Sequence, residues 1–285
     1  MKNFFYLAVL MAAISCNSNA KEPDPLVQAS KYKSHFGSDT VDVKLRKVTY
    51  NGTLLMEYKY ANGYLTEFKK YVAFSQPRYF STGLFTRNAG VPVKFDLNVA
   101  QIIPETEFVS EKQDPRSTIQ YSTVKTDSTW ELTEQNFQKP ATFKKNYLFN
   151  KDGFVTKQTV THSGGENYVV TYVRNPENNV SKTWKNKLSE TTQSEKVDFV
   201  YDNKSNPFFK LGVDWQGEFS NYAISPNNPV QETIYNEQNR GVKSTYTYEY
   251  LPNGYPKKVT IVRGFINVDG IEEQTTPVVL EFEYY

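Results

Sequence analysis

The chain has a single cysteine in 285 residues, Cys16, so no disulfide can form within it. Histidine is almost as scarce: only His35 and His162 are present. Zinc sites and Ser-His-Asp triads both need histidine held by neighbouring ligands or a carboxylate, and two isolated histidines in polar, turn-rich surroundings read as solvated turn residues. No glycine-rich loop precedes a helix pattern and no DxDxDG run occurs, so neither a nucleotide nor a calcium motif is present and no cofactor is indicated. An excess of one charge is missing too. Thirty-three Lys and Arg stand against 31 Asp and Glu, a net of +2, which removes the long-range field that attracts nucleic acid or anionic membrane.

What the chain has in quantity is aromatic residues, 15% of the total with 21 Tyr and 19 Phe. These side chains suit a half-buried pleated surface. They also supply much apolar area per residue, which reconciles a mean hydropathy of −0.62 with a folded domain. The length is ample for one large all-β domain.

The first residues, MKNFFYLAVLMAAISC, combine Lys2 with a short apolar run from Phe4 to Ile14. Such a run is too short to cross a bilayer core of ~30 Å as a helix and fits the h-region of a secretory signal peptide. Its ending, Ala-Ile-Ser-Cys, resembles the bacterial lipobox. The resemblance implies a signal peptide over 1–15 and lipidation of Cys16, which would also account for one lone cysteine in an exported protein. Several acyl chains would anchor it stably, where a single chain is marginal. Residues 16–40 are polar, carry Pro23 and Pro25, and read as a lipidated tether to a domain over 41–285.

From about residue 41 the pattern is alternation. Leu54, Met56, Tyr58 and Tyr60 share one face, with Glu57 and Lys59 on the other; Val242, Ser244, Tyr246, Tyr248 and Tyr250 repeat the arrangement. Period two predicts strands with one packed and one wet face. Asn51-Gly52, Asn62-Gly63, Asp152-Gly153 and Pro252-Asn253-Gly254 supply the turns, since these residues tolerate positive φ. Five segments share one form, an aromatic-x-aromatic start, a polar turn and an apolar return: EYKYANGYLTEF from Glu57, NYLFNKDGFVTK from Asn146, VTYVRNPENNVSK from Val170, DFVYDNKSNPFF from Asp198 and YEYLPNGYPKKV from Tyr248. A hairpin of this kind cannot bury its own apolar face, so neighbours must join edge to edge. The expected fold is therefore all-β: an antiparallel meander of hairpins in one large curved sheet, an open or half barrel with a loop or short-helix insertion. The alternation Leu280, Phe282, Tyr284 adds a last strand that closes or caps the sheet. Residues 85–115 and 206–229 break the pattern and read as insertions.

The lipobox together with FVYDNKSNPFF (199–209), SPNNPV (225–230) and YEYLPNGYPKKV (248–259) resembles Bacteroidota lipoproteins of unknown function that carry degenerate Tyr-Asp (RHS-like) repeats. The likeness is best over 145–285. It implies a strongly curved antiparallel sheet in the cell envelope, on the outer membrane, and it implies no activity. Asp39-Thr40-Val41 and Asp127-Ser128-Thr129 also match the short O-glycosylation pattern of that phylum, at Thr40 and Ser128.

Candidate ligand contacts are aromatic. Trp215, Phe209, Phe219 and Tyr222, with Trp184, would form a platform for the apolar faces of sugar rings. The reading favoured by these features is a lipid-anchored, non-catalytic binding or scaffold module, with glycan as the ligand class. One alternative is a carrier holding an apolar or lipid ligand in a concave aromatic face. The other is a glycoside hydrolase using two of Asp198, Asp202, Asp214 and Glu218. The membrane is the expected partner through the lipid, nucleic acid is not, and oligomeric state is left open.

Overall fold

The computed structural model describes residues 41–285 except 73–77, 89–90, 104–107, 111–114, 127–128, 137–141, 190–192, 212–222, 239 and 268–271. Cys16, the tether, Thr40 and Ser128 thus lie outside the described residues. The strands of the first half are β1 (Leu45–Tyr50), β2 (Thr53–Ala61), β3 (Tyr64–Val72), β4 (Arg78–Asn88), β5 (Val91–Ile103), β6 (Phe108–Ser110), β7 (Pro115–Thr126), β8 (Thr129–Asn136) and β9 (Thr142–Phe149). Those of the second are β10 (Val155–His162), β11 (Tyr168–Arg174), β12 (Val180–Lys187), β13 (Gln193–Ser205), β14 (Asn227–Asn236), β15 (Gly241–Tyr250), β16 (Pro256–Ile266), β17 (Glu272–Gln274) and β18 (Val278–Tyr284).

All belong to one 18-stranded sheet, and every pairing is antiparallel, most of them between consecutive strands, as a meander requires. The short β6 and β17 are side additions to β5 and β16, which pair onward with β7 and β18. β1 pairs with β2 on one side and with β18 on the other, in a register running from Leu45 opposite Tyr284 to Tyr50 opposite Leu280. Neither end of the meander is left as a free edge, the feature that otherwise invites pairing with another chain.

The turns follow from residue type. Asn51, Gly52, Asn62 and Gly63 all adopt positive φ, from 48° to 83°, the conformation of tight hairpin turns whose twist matches their strands. A second design recurs at 150–154, 175–179 and 251–255, where the first residue's amide donates to the fifth residue's carbonyl at 2.8–2.9 Å. Its positive-φ position is held by Gly153, Asn178 and Gly254 in turn.

One face of the sheet is apolar and closes on itself as the core. Val48, Met56, Tyr58, Phe68, Tyr147, Val197, Phe199, Tyr246, Val259, Ile261, Leu280 and Phe282 form one buried cluster drawn from strands along the whole chain. Gly83 of β4 sits beneath this layer: a Cβ there would lie 2.3 Å from the ring of Phe68 and 2.6 Å from that of Phe95. Its absence lets those rings stack across the strand at 5.9 Å and 11°. The opposite face is wet. It carries Arg46–Glu283 (2.5 Å), Lys59–Glu67 (2.9 Å), Lys196–Asp198 (2.6 Å) and Lys258–Glu249 (3.1 Å), all of them partly solvated. Exposed pairs of this kind contribute about 0–1 kcal/mol each.

A contact repeated in three places ties each hairpin to the strand that follows it. The Arg87 guanidinium on β4 donates to the Leu65 carbonyl (2.8 and 3.2 Å) and lies 5.5 Å above the Tyr64 ring. Arg174 on β11 donates to the Val155 carbonyl (2.9 Å) and lies 5.0 Å above Phe154. At the C-terminal strand the same place is taken by Tyr284, whose hydroxyl donates to the Pro256 carbonyl (2.8 Å) and whose ring meets Tyr255 edge-on at 5.9 Å. In each case a side chain near the end of the third strand caps a carbonyl at the start of the second and covers the aromatic before it. Phe85-Thr86-Arg87-Asn88 and Tyr172-Val173-Arg174-Asn175 are thus one motif, with arginine in the second aromatic position.

Two expectations change. Residues 85–115 are not an insertion: β4, β5, β6 and the start of β7 occupy most of them. The turn expected within Asp198–Phe209 does not form, because β13 continues to Ser205 and its partner β14 begins only at Asn227. A smaller change is at Leu55, which is buried because a register shift opposite Val48 and Thr49 makes it an extra residue in β2.

The three capping contacts make a sharp prediction. Replacing Arg174 with Ala removes a charge-assisted hydrogen bond and should lower unfolding free energy by about 1.5–3 kcal/mol in chemical denaturation. Arg174→Lys should recover little, lacking the planar fork. Arg46→Ala on the wet face should cost under about 1 kcal/mol.

Candidate functional site

The two described ends of the segment between β13 and β14, residues 206–211 and 223–226, turn inward over one end of the apolar face. Asn206, Pro207, Phe208 and Leu211 on its way in, and Ala223, Ile224 and Ser225 on its way out, are all buried. Phe209–Leu211 form a single 3-10 turn. Phe208 meets Phe282 of β18 edge-on at 5.9 Å, and Phe209 stacks on Phe154 at 5.9 Å and 14°. The insertion is a plug, and its apolar residues complete the core.

A polar network holds the plug. Asn206 donates from its amide to Pro226 O (2.9 Å) and from Nδ2 to Ser225 O (2.9 Å), while its Oδ1 accepts from Phe208 N (3.0 Å). Ser225 Oγ accepts from Val180 N (3.0 Å) and donates to the Tyr201 hydroxyl (2.9 Å). Arg174, already capping Val155, also donates to Ile224 O (3.0 Å) and to Asn178 O. Its hydrogen-bond partners are backbone carbonyls, and burial lowers its pKa to about 10. Asn179 and Asn227 bond reciprocally, Nδ2 to Oδ1 at 2.8 Å and amide to Oδ1 at 3.0 Å. Asp202 accepts from the amides of Lys204 (2.9 Å) and Asn228 (3.3 Å) and from the Tyr250 hydroxyl.

Two spaces border this network. Beneath the plug, between Phe208, Tyr246, Val259, Ile261, Leu280 and Phe282, the interior leaves only ≈ 20 Å³. That is room for about one water. Outside it, a depression of ≈ 830 Å³ lies between the 175–179 turn and the end of β13, lined by Asn175, Glu177, Asn179, Ser181, Asp202, Asn203 and Asn227 together with Phe199, Val200 and Tyr201.

The expected aromatic platform is not assembled among the described residues. Phe209 packs into the plug against Phe154. Trp184 is on the other face of the sheet: its neighbour Thr183 is buried opposite Val197, whereas Trp184 lies opposite Lys196, with the Lys182 ammonium 5.5 Å over its ring. Trp215, Phe219 and Tyr222 lie outside the described residues, as do the carboxylates Asp214 and Glu218. Asp198 is engaged on the wet face by Lys196 (2.6 Å) and Lys182 (3.6 Å). Four residues along the same strand put it roughly 13 Å from Asp202, beyond the ~5–9.5 Å that paired glycosidase carboxylates need. His162 ends β10, and a Cβ on Gly165 would strike its ring, so it packs on its own turn. Of the residues around the depression, Asp202 alone is among the sequence candidates, as a hydrolase carboxylate. The signal of the others is the density of asparagine in 175–179, 203–206 and 227–228.

No protein-family model matches the chain, and no curated protein sequence matches it. Among solved structures it is similar to a porin-like protein from Bacteroides uniformis at 13% identity, over 77% of this chain and 95% of that one, with a TM-score of 0.43. It is similar to a porin-like protein from Bacteroides vulgatus at 13% identity, over 86% and 99%, with a TM-score of 0.39. Likeness this slight has no bearing on function.

The buried hydroxyls fix a pH dependence. Burial holds the phenols of Tyr201 and Tyr250 above their ordinary pKa of 10, and the hydrogen bond to Asp202 raises Tyr250 further. Their contribution is complete below pH 10 and is lost as pH rises beyond it, since the unfolded chain then binds fewer protons. Arg174 acts in the opposite sense above about pH 10, as one group against two. Denaturation midpoints should hold to near pH 10 and fall above it, with tyrosine absorbance at 295 nm rising together with unfolding.

Proposed function

We propose that the chain is a lipid-anchored protein of the cell envelope, held to the outer membrane through Cys16 and the tether, and that its curved sheet is a non-catalytic binding or scaffold module. One observation supports this most: the distribution of side chains between the two faces of the sheet. A strand array that crosses a membrane turns an apolar band outward and keeps a polar lumen. Here the strands whose side chains are described do the reverse, with Phe282, Tyr246 and Met56 inside and the pairs Arg46–Glu283 and Lys59–Glu67 outside. Membrane contact then falls to the N-terminal segment, which carries the lipobox-like ending. The space beneath Phe208, ≈ 20 Å³, does not hold an acyl chain, so that pocket lends the carrier reading no support. The hydrolase reading has little support, because Asp198 is committed to lysines.

Fractionation of producing cells tests the proposal. The wild-type protein should sediment with outer membranes, and Cys16→Ala should release a folded domain into the soluble fraction. A Cys16→Ala protein that stays with the membranes would overturn the anchoring.

A further inference from the structure

We propose that the depression beside the plug is a binding site for a neutral saccharide, an inference that rests on the reading of the sheet as a binding module. The lining decides the ligand class. Among the described residues no lysine or arginine lines the depression, so a phosphate or acidic polymer would find no counter-charge there. A divalent cation is poorly served, because calcium takes 6–8 oxygen ligands and Asp202 is already engaged by Tyr250 and two backbone amides. An acyl chain would desolvate the amides and carboxylates without replacing their hydrogen bonds. A neutral polyhydroxylated ligand meets none of these obstacles.

The polar groups suit vicinal hydroxyls. An asparagine amide offers two donors and an acceptor side by side, and Glu177 offers two acceptor oxygens. Glu177 and Asn203 are both exposed and have no side-chain partner among the described residues, so their bonding capacity faces the depression's solvent. Val200, 51% exposed on the same wall, gives an apolar contact for the C–H face of a sugar ring. The frame beneath them is rigid. The reciprocal Asn179–Asn227 pair joins the 175–179 turn to β14, and Asn227 Nδ2 donates to Lys204 O (3.1 Å). A site already ordered by its own hydrogen bonds loses less entropy when a ligand arrives. A space of ≈ 830 Å³ also falls within the ~300–1,000 Å³ usual for ligand sites.

Isothermal titration of the full chain, purified in detergent, tests this with maltohexaose, cellohexaose and mannohexaose as neutral probes and hexagalacturonate as the acidic one. At least one neutral hexasaccharide should bind. Asn203→Ala and Glu177→Gln should each weaken it by about tenfold, the size of one well-placed hydrogen bond. Trp184→Ala, which does not line the depression, should leave it unchanged. The inference is overturned if no neutral probe binds, if hexagalacturonate binds more tightly than all of them, or if binding ignores Asn203 and Glu177. Both positions are exposed, so circular dichroism should report an unaltered fold in the variants. The titration does not depend on where the protein resides, so its failure is distinct from a failure of lipid anchoring.

Discussion

The pairing of β1 with β18 is the contact from which the rest of the structure follows. An antiparallel meander with an apolar face must cover that face, and a flat array of hairpins has nothing to cover it with. Curling far enough for the last strand to lie against the first turns the face inward and leaves no unpaired edge. Thr49 lies opposite Glu281 and Val48 opposite Phe282, although the two strands are separated by most of the chain. This contact is costly in chain entropy and slow to form, and the local order of each hairpin is what makes it reachable.

That local order comes from two devices working at different ranges. The turns set each hairpin's twist through asparagine and glycine at positive φ. The caps by Arg87, Arg174 and Tyr284 then fasten the next strand over the previous turn. Arg174 links this scheme to the plug, since one guanidinium caps Val155 and also holds Ile224. The end of the curl is therefore filled by a segment locked to the same repeat that builds the wall. The depression lies between the 175–179 turn and the end of β13, beside the asparagine pair that joins that turn to β14.

Much of this is legible in the residues. Alternation identifies β2, β15 and β18 and their inward faces, and NG and NGY sequences identify the turns, because both depend on chemistry within a few residues. What fails to show depends on distant neighbours. Asp202-Asn203-Lys204-Ser205 has the composition of a turn, yet the strand runs on to Ser205, which pairs with Asn227, while the Tyr250 hydroxyl holds Asp202. Residues 85–103 look irregular because Arg87 stands where other hairpins carry an aromatic, and the equivalence emerges only from what it touches. Trp184 looks like a ligand platform, but a single residue gives no sign of which face it takes until the register with Lys196 is known. The depression is the least legible, being assembled from three separated segments of asparagine-rich chain.

The contact between the first and last strands is testable by a single cross-link. Thr49 and Glu281 are directly opposed and on the wet face, so Thr49→Cys with Glu281→Cys, in a Cys16→Ser background, should oxidise to an intramolecular disulfide. The account predicts a monomeric product that migrates faster than its reduced form in denaturing gels. A chain that stays fully reduced under mild oxidation, or that yields only intermolecular dimers, would contradict the pairing on which the buried face, the plug and the depression depend.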